Sequence, residues 1–135
     1  MIAIIPEPEI PEMVQEVCLS FYYDIEKVWQ LDVPASDMYI TRLDWHFELP
    51  FLWESGRKYS LTPRELIAHP EHYPDEYARV MAADLAFPID IIRNKGRWFI
   101  LDGLHRLIKA ALLGHRKVAV RVILWKWVPQ IQVCA

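Results

Sequence analysis

Cysteine is nearly missing from this 135-residue chain, which has only Cys18 and Cys134. They form neither a metal-ligand spacing nor a disulfide framework. Cys18 reads as a small buried apolar side chain in a helical pattern, and Cys134 as a tail thiol. Long apolar runs are missing too. Nothing approaches the ~18 uninterrupted apolar residues of a membrane span, and the N-terminus has no basic region ahead of its apolar start. The expectation is a soluble, cytoplasmic protein with no membrane association. Internal repeats and low-complexity segments are also absent. What is present is a hydrophobic content of 53%, enough at this length for one core of ordinary size. The chain therefore reads as one domain over residues 1–135, with residues 1–35 as an N-terminal helical extension.

Basic side chains are scarce in residues 1–90, which hold 6 of them against 17 acids, a balance of −11. Residues 91–135 reverse this with 9 bases against 1 acid, a balance of +8. Clustered Lys and Arg raise the local potential even in an acidic protein, so the last part suits a local anion site. The alternative is that the two parts pair with each other across the fold. Duplex DNA fits poorly, because nonspecific affinity comes from counterions displaced over a broad basic face, which the acidic first part opposes.

Pro6, Pro8 and Pro11 keep the start of the chain extended, and Pro11 suits the first turn of a helix. Val14, Val17, Cys18, Phe21, Ile25, Val28 and Trp29 repeat at three and four and predict one helix to about Gln30, with Pro34 beyond its end. Tyr39 to Trp53 fits neither helical nor strand period and predicts irregular structure. Thr62-Pro63-Arg64-Glu65 has the layout of a capping box, opening a short helix to about Ala68. His69-Pro70 and Tyr73-Pro74 break the chain, and Asp75 to Leu85 predicts another helix. Ile89–Ile92 and Trp98–Leu101 flank Arg93-Asn94-Lys95-Gly96-Arg97, a hairpin signal.

After Leu101 come Asp102-Gly103-Leu104-His105-Arg106, then Leu107, Ile108, Ala111 and Leu112 at helical spacing, then Gly114 where a left-handed C-terminal residue belongs. Val118 to Leu124 returns as a strand. The turn therefore opens a helix. Free N–H groups there, backed by the positive end of the helix dipole, bind anions, and Gly103 allows close backbone approach. His105 and Arg106 add donors, and an arginine can grip two phosphate oxygens at once. The plain alternative makes Asp102 an N-cap, Gly103 a turn residue and Arg106 a solvated charge.

Ile100-Leu101-Asp102-Gly103-Leu104-His105-Arg106, the helix through Lys109-Ala110-Ala111-Leu112-Leu113-Gly114 and the strand Val118-Ala119-Val120-Arg121-Val122-Ile123 resemble the signature of the ParB/sulfiredoxin superfamily. The resemblance covers about residues 60–124. It implies an α/β domain with a small mixed sheet, flanking helices and here an added N-terminal helix. It also implies a nucleotide whose phosphates bind at Gly103, Leu104, His105 and Arg106. Leu104 stands where sulfiredoxin needs a cysteine, which argues against peroxiredoxin reduction. Eleven residues follow Leu124, too few for the helix-turn-helix domain of the chromosome-partitioning members. The nearest site chemistry is that of the superfamily's free serine kinases, with an Asp-Gly-His-His-Arg turn and an upstream Pro-His-Glu glutamate. Pro63-Arg64-Glu65 corresponds, Glu65 lying 37 residues before Asp102. That similarity implies Glu65 as general base and Asp102 as a group positioning the acceptor or a magnesium ion. Glu65 has a second reading, since a capping box already explains it.

Asp44-Trp45-His46-Phe47-Glu48, with Trp53, is a second candidate site, because small molecules often bind on irregular segments rich in such residues. On that reading Asp44, Trp45, His46 and Glu48 contact substrate. On the other, Trp45, Phe47, Leu49, Phe51 and Trp53 alternate into the core while His46 and Glu48 face water. No His-x-x-x-His or comparable pair marks a zinc site, so no zinc is expected, and nothing calls for haem. Three function classes follow: a nucleotide-dependent phosphotransferase acting on a small molecule with ATP or ADP (or CTP) and magnesium, a nucleotide-binding regulatory module, and a nuclease. Acids against the turn would favour the first, a continuous basic groove the third.

Overall fold

Three strands that the hydrophobic pattern marks and one that it does not form a four-stranded mixed sheet in the computed structural model, which describes residues 10–133. The segment around Pro6 and Pro8 and the Cys134 thiol lie outside these residues. In chain order the elements are α1 (Glu12–Gln15), α2 (Ile25–Gln30), β1 (Ala35–Tyr39), β2 (Leu52–Glu54), β3 (Arg57–Leu61), α3 (Pro63–Ala68), α4 (Pro74–Met81), β4 (Ile89–Asn94), β5 (Arg97–Asp102), α5 (Leu104–Leu112), β6 (Lys117–Ile123) and α6 (Val128–Ile131), with short 3₁₀ turns between. No helix among the described residues is long and apolar enough to cross a membrane.

The main sheet runs β1-β6-β4-β5, and β2 pairs only with β3. β4 and β5 form the expected hairpin, closed by Lys95 and Gly96 at φ 51° and 79°. Positive φ at both central residues is what a type I′ turn requires and matches the strand twist. From β5 the chain passes through α5 and returns as β6, which pairs parallel to β4. The helix thereby carries the chain over β4. Gly114, at φ 80°, ends α5: its N–H reaches the Ala111 carbonyl and that of His115 reaches Ala110, the bond pair of a Schellman motif.

Alternation along the strands loads both faces of the sheet. Ile89, Ile91, Ile100, Val118 and Val120 pack with Leu66, Val80, Leu107 and Ile108 from α3, α4 and α5. Ile92, Phe99, Leu101 and Ile123 pack with Leu19, Tyr23, Val28 and Ile131 on the other side. α5 thus sits on one face with its N-terminus beside the end of β5.

The single helix expected from Pro11 to Gln30 is instead two short helices. Its apolar spacing is helical, but longer-range backbone bonds win: Asp24 N–H donates to the Ile131 carbonyl and Val133 N–H to that of Tyr22. Asp24 then caps α2 by accepting the Glu26 N–H. Trp29, placed on the buried stripe by periodicity, is 55% exposed. Tyr39 to Trp53 is largely 3₁₀ turn, as its lack of period suggests, though β2 begins within it. α3 has the predicted Thr62 cap, whose hydroxyl accepts the Glu65 N–H at 3.1 Å. α4 ends at Met81, short of the expected Leu85, where Lys109 Nζ takes the Met81 and Ala83 carbonyls.

Candidate functional site

Gly103 is the pivot of the Asp-Gly-Leu-His-Arg turn. At φ 117° it occupies a conformation that side chains rarely adopt, and a Cβ there would lie 3.1 Å from both γ-carbons of Ile89. Leu107 N–H makes the first intrahelical bond of α5, to the Gly103 carbonyl. No side chain caps the helix and no acid stands in its first turn. Gly103, Leu104, His105 and Arg106 line an open cleft of about 1030 Å³. Unfilled N–H groups at a helix start facing a cleft make an anion-binding arrangement.

Asp102, expected to position the acceptor or a magnesium ion, and Arg106, expected to grip phosphate oxygens, are both already engaged. Asp102 accepts Trp29 Nε1 at 2.7 Å and Arg106 Nη2 at 3.3 Å, both on Oδ2. Arg106 Nη1 donates to the Pro88 carbonyl at 2.8 Å. The Asp102–Arg106 pair therefore clamps the turn to α2 and to the start of β4. Asp102 and Arg106 also line a smaller, mainly apolar cleft of about 550 Å³, together with Trp29, Phe87, Asp90 and Arg121. Asp90 is buried and pairs with Arg121 Nε at 2.6 Å, while the same guanidinium takes the Leu31 and Val28 carbonyls at 2.7 and 2.8 Å. Burial raises the Asp90 pKa against the opposing pull of Arg121.

His105 points to a partner that no motif announced. Its Nε2 lies 2.6 Å from Glu76 Oε1, and Arg79 Nη1 holds Glu76 Oε2 at 2.9 Å. Glu76 is 6% exposed. An ionised carboxylate only accepts, so Nε2 carries the proton and Nδ1 is left as the ring's acceptor. A buried carboxylate orienting a histidine in a cleft is the arrangement of a general base held in one tautomer. In sequence, Glu76 and Arg79 look like one more i,i+3 pair on a surface helix, so only the placement of α4 beside α5 reveals them.

Glu65 is not among the residues lining this cleft. Its carboxylate lies 3.5 Å from the Tyr73 hydroxyl, and Tyr73 does line the cleft. Partial burial raises the Tyr73 pKa, with the Glu65 and Glu54 carboxylates adding to the shift. The Trp-rich stretch is divided. His46 is buried, with Nδ1 on the Leu43 carbonyl at 2.6 Å and Nε2 accepting the Ile100 N–H at 3.2 Å. It does not face water, as the core-plug alternative had it, and both nitrogens serve the fold. Trp45 stacks on His46 and donates to the Trp98 carbonyl. Glu48 takes two bonds from Arg64 at the surface. Trp53 is 47% exposed. Of Asp44, Trp45, His46 and Glu48, only His46 borders the cleft.

The cleft's charge is mixed, with Glu54, Asp75, Glu76, Asp84 and Asp102 on its walls against Arg79 and Arg106, together with His72 and His105. It is no continuous basic groove. No protein-family model matches the chain, and no match to it was found among curated proteins or solved structures.

Proposed function

We propose that the chain is a nucleotide-dependent phosphotransferase that binds a nucleoside polyphosphate at the Asp102–Arg106 turn and phosphorylates a small hydroxylated molecule. The observation that carries the reading is the uncapped α5 N-terminus facing the same cleft as the Glu76–His105 pair. One feature receives anionic oxygens and the other takes a proton, and phosphoryl transfer needs both. The resemblance of residues 100–123 to the ParB/sulfiredoxin superfamily supports the same assignment.

In this mechanism the N–H groups of the first turn of α5 and the Arg79 guanidinium hold phosphate oxygens. His105 accepts the acceptor's hydroxyl proton through Nδ1 as the new O–P bond forms and the bond to the departing nucleoside phosphate breaks. Glu76, a positioning residue, keeps the imidazole in that tautomer and stabilises the imidazolium. The carboxylates on the cleft walls suit magnesium, and Asp102 is the residue that would hold it, since both its hydrogen bonds fall on Oδ2. Bound magnesium supplies charge neutralisation to the polyphosphate. ATP, ADP and CTP are the nucleotides to try. The acids on the walls weigh against the nuclease reading.

The test is a thermal-shift screen of the three nucleotides with and without magnesium, since a ligand of the folded state alone raises its apparent stability. It is followed by turnover with hydroxylated metabolites, free serine first. Glu76→Gln should lose about 10²- to 10⁴-fold in turnover, while Glu65→Gln should match the parent. Loss confined to Glu65→Gln would transfer the base to Glu65. Nucleotide binding with no turnover would leave a regulatory module, and no thermal shift with any nucleotide would sink both.

A further inference from the structure

His69, Glu71 and His72 belong to none of the chemistry above. Among the described residues they are the group of three histidine, cysteine or acidic side chains whose donor atoms all lie within 4.8 Å of one another. Glu71 and His72 lie in the 3₁₀ turn Pro70–His72 and His69 is its N-cap, so the turn is flanked by a residue preceding a proline at each end, His69 and Tyr73. Proline restricts the residue before it. His69 (φ −137°, ψ 62°) and Tyr73 (φ −134°, ψ 61°) accordingly share one conformation, which clamps the turn at both ends. Residues three apart eclipse in a 3₁₀ turn, and the His69 and His72 rings lie face to face, 5.0 Å between centroids and 13° from parallel. Glu71 Oε1 lies 3.7 Å from His69 Nδ1 and 3.8 Å from His72 Nε2.

We propose that His69 Nδ1, His72 Nε2 and a Glu71 carboxylate oxygen bind one transition-metal ion of the zinc class at the rim of the cleft. Tetrahedral zinc with bonds of about 2.0–2.2 Å sets its ligand atoms roughly 3.4 Å apart. Small rotations of three side chains that are at least half exposed close the remaining difference. Two imidazoles and one carboxylate select zinc, cobalt, nickel or copper over magnesium and calcium, which prefer oxygen alone. Three protein ligands leave one position for water, the pattern of an open rather than a structural site. His72 also lines the cleft, so an anion held there has the ion within the same wall. Before the ion arrives the donor atoms already lie within 4.8 Å of one another, which removes part of the ordering cost of binding.

The experiment uses the full chain stripped with a chelator and contains no nucleotide, so it stands or falls separately from the phosphotransferase reading. Zinc is titrated in competition with a chromophoric chelator, and cobalt serves as the coloured probe of ligand number. The parent should bind one zinc per chain, undisturbed by excess magnesium. His69→Ala and His72→Ala should each weaken binding at least about tenfold, a loss that even outer-shell substitutions cause. Glu71→Gln should weaken it too, whereas His115→Ala, at an exposed histidine elsewhere, should bind like the parent. Metal-free melting curves of all variants should coincide, because none of the replaced side chains is buried. Zinc binding equal in the parent and both histidine variants, or no competition with the chelator, would mean adventitious surface binding only and overturn the proposal.

Discussion

Lowering the pH from about 7 to 4 should remove about 3 kcal/mol of stability through His46 alone. The ring is 2% exposed and its two nitrogens have opposite duties: Nδ1–H donates to Leu43, and Nε2 accepts from Ile100. An imidazolium has no acceptor nitrogen, so protonation breaks the Ile100 bond and buries a charge. Burial accordingly lowers the His46 pKa from 6.5 to about 4, with nearby Arg97 adding to the shift and the Leu43 carbonyl opposing it. A lowered folded-state value means that the unfolded chain takes the proton first as pH falls. The contribution is full above about pH 6.5, declines from there to about pH 4 and changes no further below it. At ~1.4 kcal/mol for each tenfold difference in proton affinity, the interval amounts to about 3 kcal/mol. Urea unfolding of the parent and of His46→Gln across this range isolates the histidine from the carboxylates, which both proteins share. The stability difference between them should shrink by that amount from pH 6.5 to 4. Parallel curves would refute the reasoning, as would a ring NMR spectrum showing the Nε2–H tautomer at neutral pH.

Two substitutions test the frame of the turn. Gly103→Ala places a Cβ 3.1 Å from buried Ile89 and 3.0 Å from Arg106 Nη1 at a φ of 117°, so a loss of about 2–5 kcal/mol in denaturant unfolding is expected; a loss under about 0.5 kcal/mol, the size of an ordinary surface change, would show the turn relaxes freely. Tyr23→Phe removes the hydroxyl that donates to the Leu101 carbonyl at 2.6 Å just before the turn and should cost about 1–3 kcal/mol by the same measurement, since the carbonyl is left unpaired. An unchanged midpoint would mean that water replaces the phenol.

Local signals were legible wherever neighbours in sequence are also neighbours in the fold. Lys95-Gly96 in the hairpin, Thr62 at the cap of α3 and Gly114 at the end of α5 each act within a few residues, and each is found as its residue type dictates. The N-terminal helix failed because its apolar spacing holds no information about residues 131–133, whose backbone takes over the bonds of Tyr22 and Asp24. β1 was invisible for another reason. Ala35–Tyr39 is an edge strand with a mostly exposed pattern, and only its register against β6 makes it a strand. Ser55-Gly56 repeats the positive-φ pair of Lys95-Gly96, but the strands on either side are short and carry charges in place of β-branched runs. The turn of the candidate site could be read because it is contiguous, whereas Glu76 could not, lying 29 residues from His105.

The charge asymmetry of the chain becomes physical at this turn. Two ion pairs join the acid-rich first part to the base-rich last part, Glu76 with His105 and Asp90 with Arg121, the first lining the larger cleft and the second the smaller. Asp90 stands opposite Asp102 in the hairpin and opposite Arg121 in the parallel pairing. Two carboxylates and two guanidiniums thus gather beneath Trp29, and charge on that side is met within the protein. On the proposed reading, anion affinity in the large cleft would rest on the backbone N–H groups of α5, which no side chain caps, and on Arg79, whose side chain is 62% exposed. Arg106 is a clamp between Pro88 and Asp102 before it is a ligand donor. Its removal would loosen the turn together with any phosphate contact, so a loss of affinity in Arg106→Ala would not by itself identify a phosphate contact. Arg79 makes no direct bond to the turn but holds Glu76, the partner of His105, so affinity lost in Arg79→Ala and kept in Arg79→Lys would report charge in the cleft.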